Sequence, residues 1–102
     1  MTDITNITAT RHLISQQAYA SNTPLDTQSW WLLGTAGCHL CNDAEQMLQL
    51  FKGVYPIDFQ LVDIADFDEQ LMTQFATLIP VVITPKKQLN FPFSLVDLQQ
   101  LI

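Results

Sequence analysis

Two cysteines, Cys38 and Cys41, are the only ones in the chain, and they sit within Gly34-Thr35-Ala36-Gly37-Cys38-His39-Leu40-Cys41. Thiols at that spacing can form a reversible disulfide, supply half of a metal site, make a permanent crosslink, or do nothing. A crosslink closing four residues removes only about 2 kcal/mol of unfolded-chain entropy, against ~3 kcal/mol for fifteen residues, so a structural disulfide is weakly motivated. A structural zinc ion usually takes four protein ligands. No second Cys-x-x-Cys exists, and His12 and His39 would have to complete the set without finger-like spacing. The expectation is a redox pair with no metal and no cofactor. A noncatalytic binding module and a metal-binding Cys-x-x-Cys protein are the alternatives.

The flanking residues set the two sulfurs apart. Trp30 to Leu33 is a short apolar run that suits a buried strand, Gly34 and Gly37 loosen the backbone, and from Leu40 the pattern turns helical. At about 100° per residue, with Cys38 at 0°, Met47, Leu40, Phe51, Ala44 and Leu48 fall between roughly 180° and 280°. Cys41, at roughly 300°, borders that apolar stripe, and Cys38 lies outside it. Cys38 is therefore expected to face solvent at a helix N-terminus, where unpaired N–H groups favour a thiolate, while Cys41 is partly covered. His39, between them, is a candidate modulator of the thiolate, with a solvated surface histidine as the plain alternative. Asp43 and Glu45 oppose it electrostatically.

The elements that must hold the pair follow in order. The helix after the motif runs to about Lys52 and stops at Gly53, with Pro56 beyond. Ile57 to Asp63 alternates as a second strand. Asp66 with Glu69 reads as an N-cap pattern for a helix carrying Phe67, Leu71 and Phe75. Ile79 to Thr84 is a β-branched third strand, Pro85 to Gln88 a turn, and Leu89 to Phe91 a fourth strand. Ser94 caps a final helix with Asp97 at its third position. The resulting order, β-α-β-α-β-β-α, implies an α/β domain over residues 29–102. Its mixed four-stranded sheet opens with a parallel βαβ unit, closes with a hairpin and is flanked by three helices. Residues 1–28 read as a polar extension with at most a short helix over about Ala9 to Ala20 and too little apolar periodicity to supply much core.

Composition narrows the function classes. A chain of 102 residues makes one domain able to bury a modest core without staples. The net charge of −6 repels phosphate backbones, so nucleic-acid binding is not expected. Neither a membrane span nor a cleaved signal is evident, so the expected compartment is the cytoplasm, where thiols stay reduced unless they are turning over.

The segment Trp30 to Ile102 resembles the thioredoxin superfamily, and within it the small glutaredoxin-like proteins with a Gly-Cys-His-Leu-Cys motif, here Gly37 to Cys41. Ile79-Pro80-Val81-Val82 and Pro92-Phe93-Ser94 match the same family. The resemblance implies a thioredoxin-like fold and thiol–disulfide oxidoreductase activity. Cys38 would attack, Cys41 would resolve, and Pro80 would be a cis proline that leaves the Ile79 backbone free to pair with a substrate. The substrate would be a disulfide-containing protein or a small-molecule thiol. Glutathione binding is not carried over, because Leu33-Gly34-Thr35-Ala36 lacks the lysine, and Asn90-Phe91-Pro92-Phe93 the glycine pair, of glutathione-binding glutaredoxins. Nor is thioredoxin-like reduction of many proteins, since Leu32, Gly37 and His39-Leu40 replace that family's buried acid, tryptophan and Gly-Pro.

Overall fold

The computed structural model describes residues 4–102, with side chains from Ile7 onward. Its elements are α1 (Ile4–Ala20), β1 (Trp30–Gly34), α2 (His39–Lys52), β2 (Phe59–Asp63), a short 3-10 turn (Ile64–Asp66), α3 (Glu69–Phe75), β3 (Val81–Ile83), β4 (Gln88–Asn90) and α4 (Leu95–Gln99). The strands form one mixed sheet in the order β2-β1-β3-β4. β1 pairs parallel with β2, Gly34 standing level with Asp63, and antiparallel with β3, Leu33 standing level with Val81. β3 and β4 form the closing hairpin. Both ends of the expected topology are therefore present, the βαβ unit and the hairpin. Among the described residues no helix is long and apolar enough to cross a membrane.

Strand β1 is buried on both faces, which is why its sequence runs Trp-Trp-Leu-Leu rather than alternating. Trp30 and Leu32 face α2 and α4, packing with Ala44, Leu48, Phe51 and Leu98. Trp31 and Leu33 face the other way, into a cluster with Phe67, Leu71 and Phe75 that also contains Ile7 and Ile14 of α1. The expectation that residues 1–28 supply little core is thus corrected. Ile7 and Ile14 are fully buried and Ala18 nearly so.

The cause is visible at Arg11, whose charge makes the helix look solvent-facing. Its guanidinium donates to the carbonyls of Ile83 (2.9 Å), Thr27 (2.9 Å) and Ser29 (3.0 Å) and lies 3.8 Å over the Trp31 ring. An arginine with its donors satisfied and its plane on an aromatic face can occupy a core position. Burial still lowers its pKa from the ordinary value, with the negative charge of Asp26 acting in the opposite direction. The three expected helices of residues 29–102 are present, and α1 adds a fourth among the described residues.

One cap differs in detail from expectation and one matches it. α3 is capped by Asp68, whose carboxylate accepts from the Leu71 N–H at 2.8 Å, while Asp66 belongs to the preceding turn. Ser94 and Asp97 form the reciprocal box at the start of α4. These caps fix where the helices begin, and α2, the one that carries the cysteines, has the least ordinary cap.

Candidate redox site

Cys38 itself is that cap. Its backbone is extended (φ −93°, ψ 108°), and its Sγ accepts the Cys41 N–H at 3.2 Å, the bond that a Ser or Asp oxygen makes at most helix starts. The chain reaches this position through Gly37, whose φ of +79° lies in the left-handed region that residues with a Cβ avoid. The Cα atoms of Cys38 and Cys41 are 5.2 Å apart, and the sulfurs are joined as a disulfide.

Strand β1 ends directly beneath this turn. A Cβ at Gly34 would lie 3.0 Å from the Sγ and 3.1 Å from the Cβ of Cys41. The missing side chain at Gly34 is what lets Cys41 settle onto the sheet. Cys41 is consequently 7% exposed, whereas Cys38 is half-buried. Both sulfurs are more covered than the helical angles alone imply, but Cys38 remains the more accessible.

His39 opens α2 and is exposed. Leu40, expected within the apolar stripe, is 49% exposed instead. The buried face of α2 is Cys41, Ala44, Leu48 and Phe51. Leu40 thus leaves an apolar surface beside the more accessible sulfur.

The register Leu33–Val81 places Ile79 and Pro80 at the same end of the sheet as the cysteines. Pro80 is fully buried, and the Ile79–Pro80 bond is cis. The Phe91–Pro92 bond is cis as well, which the sequence did not signal. The Ile79 backbone is only partly free, a correction to the expectation. Its N–H donates to the Phe75 carbonyl at 3.1 Å as α3 closes, while its own carbonyl accepts no hydrogen bond among the described residues. An approaching chain would find an acceptor there and no donor.

On the opposite side of Cys41, between α2 and β2, lies a cavity of about 270 Å³, with Glu45 and Asp63 among its lining residues. From sequence Glu45 enters the site only as a charge opposing His39, and Asp63 does not enter it at all. Only the parallel register of β2 with β1 brings Asp63 level with Gly34. His12, by contrast, lies with Thr27 and Pro85 at the far end of the sheet. It cannot join His39 and the cysteines as a fourth ligand, and among the described residues no three His, Cys, Asp or Glu side chains converge as a metal site.

A helix start capped by one thiol, a second thiol three residues on, and a parallel βαβ unit delivering both are shared by many redox proteins. The family can be given more narrowly. The family model described as Glutaredoxin-like domain (DUF836) matches residues 31–102. The chain belongs to this family. No curated protein and no solved structure matches it. In this glutaredoxin-like domain the match begins inside β1, so α1 lies outside the matched residues although it completes one face of the core.

Proposed function

We propose that this glutaredoxin-like domain is a dithiol–disulfide oxidoreductase in which Cys38 attacks and Cys41 resolves. The observation that carries the proposal is the cap: the Cys41 N–H that meets the Cys38 sulfur at 3.2 Å is in place to hold a thiolate at the positive end of α2. In the reduced protein the Cys38 thiolate attacks one sulfur of a substrate disulfide. The S–S bond breaks, the other substrate sulfur leaves as a thiolate, and a mixed disulfide forms. The Cys41 thiol, losing its proton, then attacks the Cys38 sulfur and expels the second substrate thiol. The substrate gains two electrons, and the domain ends with the Cys38–Cys41 disulfide, which an external dithiol reductant must reopen.

Accessibility supports this order, because the half-buried Cys38 is open to a bulky disulfide while Cys41, against Gly34, is only 7% exposed. Ile79, Pro80 and Leu40 border the approach, with the Ile79 carbonyl able to accept one substrate N–H. His39 stands next to the attacking sulfur, where a proton on its ring would favour the thiolate. A pair of cysteines that are the only ones in the chain suits a reducing compartment such as the cytoplasm, where disulfides persist mainly as turnover intermediates.

Single-cysteine variants test the assignment. Cys41→Ser is expected to accumulate mixed disulfides with a model protein disulfide, and Cys38→Ser to trap almost none. Mass-mapped alkylation of the reduced protein should label Cys38 faster. Faster labelling of Cys41 would reverse the roles, and slow labelling of both would exclude the oxidoreductase.

A further inference from the structure

The basic residues of this molecule are gathered at one end of the strand axis. Arg11 is tied to the carbonyls of Thr27, Ser29 and Ile83, at the end of the sheet where β1 begins and β3 finishes. Lys52 closes α2 and pairs with Asp58 at 3.1 Å, the one ion pair among the described residues. Lys86 and Lys87 form the turn between β3 and β4, and the Lys87 ammonium donates to the Gln100 carbonyl. Every Lys and Arg of the chain is therefore at the end away from the cysteines. Asp43 and Glu45 in the first turns of α2, with Asp63 and Asp66 at the end of β2, populate the redox end. An approaching substrate meets a negative field there, within a screening length of about 8 Å at physiological salt.

The cavity beside Cys41 gives that field a place to act. Leu32 and the exposed Leu61 provide apolar surface from the sheet, Asn42 and Cys41 close it from α2, and Glu45 and Asp63 add carboxylates. One Asp63 oxygen accepts the Ala65 N–H at 2.9 Å. The other, and both oxygens of Glu45, take no hydrogen bond among the described residues. Apolar surface with open carboxylates matches a side chain that has a methylene stem and a cationic head. It does not match an anion, and two carboxylates give a neutral apolar group no advantage.

Building on the redox function proposed above, we propose that this cavity is a subsite for a lysine or arginine side chain of a cationic polypeptide disulfide. The flanking residue would be held beside Cys41 while the substrate cysteine is linked to Cys38. Because Cys41 lines the cavity while Cys38 and Ile79 do not, the subsite fixes a substrate flank without covering the attacking sulfur.

The test uses the full chain and two synthetic peptides with the same intramolecular disulfide, one flanked by lysines and one by glutamates. The lysine peptide is expected to be reduced with a kcat/KM roughly tenfold higher at low salt, the difference residing in KM and shrinking as salt is raised. Glu45→Gln and Asp63→Asn, singly and together, should narrow that ratio, and the asparagine keeps an acceptor for the Ala65 N–H. Equal turnover of the two peptides by the natural sequence, or a ratio that the variants leave untouched, would overturn the subsite alone. Turnover of neither peptide would overturn the oxidoreductase and the subsite with it.

Discussion

At the scale of single residues, the site depends as much on what is missing as on the sulfurs. Gly34 has no side chain where Cys41 needs room, and Gly37 turns the chain through a left-handed conformation just before the cap. Gly34→Ala separates these effects. The new Cβ would meet the Cys41 Cβ at 3.1 Å in both redox states, so both should lose stability, within the range of about 1–3 kcal/mol usual for overpacking. The contact with the Cys41 Sγ, at 3.0 Å, weighs mainly on the oxidised state, where the disulfide fixes that sulfur; a free thiol can rotate away. The reduction potential should therefore rise, by up to roughly 60 mV if the whole cost fell on the disulfide form. Equilibration against a thiol buffer measures it. An unchanged potential alongside lowered stability would show that the Sγ contact is relieved equally in both states.

At the scale of elements, what was legible in the sequence was what local pattern controls. The Cys-x-x-Cys spacing, the glycines before it, the Ser94–Asp97 box and the β-branched third strand carry their signals within a few residues, and the structure places each in its expected element. α1 was not legible in that way. Among its described side chains the buried positions are few, Ile7, Arg11, Ile14 and Ala18, and one of them is charged. The feature that makes Arg11 a core residue is a set of carbonyls up to 72 positions away. Asp63 and the Ile79 N–H were missed for the same reason, since register and the closing turn of α3 decide their surroundings. Arg11→Met shows how much α1 depends on these bonds. Methionine preserves the stem but leaves three carbonyls without their donor and removes the cation from Trp31. The expected loss is roughly 3 kcal/mol or more, a fall of about 10–20 °C in Tm for a domain of this size. Arg11→Lys should recover only part of it, because one ammonium cannot span all three acceptors. A change below about 1 kcal/mol in denaturant unfolding would mean that water replaces the arginine, and that α1 is held by its isoleucines alone.

At the scale of the whole molecule, every lysine and arginine lies at the end of the sheet away from the cysteines, and this bears on glutathione. A small glutathione mixed disulfide presents carboxylates to whatever holds it, so useful binding requires cations or open backbone donors near the attacking sulfur. The basic residues are committed elsewhere: Arg11 to core carbonyls, Lys52 to Asp58, and Lys86 and Lys87 to the distant β3–β4 turn. The Ile79 N–H, a donor beside Pro80, is already given to Phe75. What remains near Cys38 is the exposed His39, the apolar surface of Leu40, an acceptor at Ile79 and the first two amides of α2, which carry no side-chain cation. Turnover of a glutathione mixed disulfide is thus expected to be much weaker than that of a dithiol glutaredoxin measured alongside it, with a high KM carrying the deficit. Raising the salt should relieve part of that deficit by screening Asp43, Glu45, Asp63 and Asp66. Matched kinetics across a salt series check the direction. Turnover equal to that of the conventional enzyme would mean that glutathione is held by groups other than those facing Cys38, and the division of charge would then play no part in choosing the substrate.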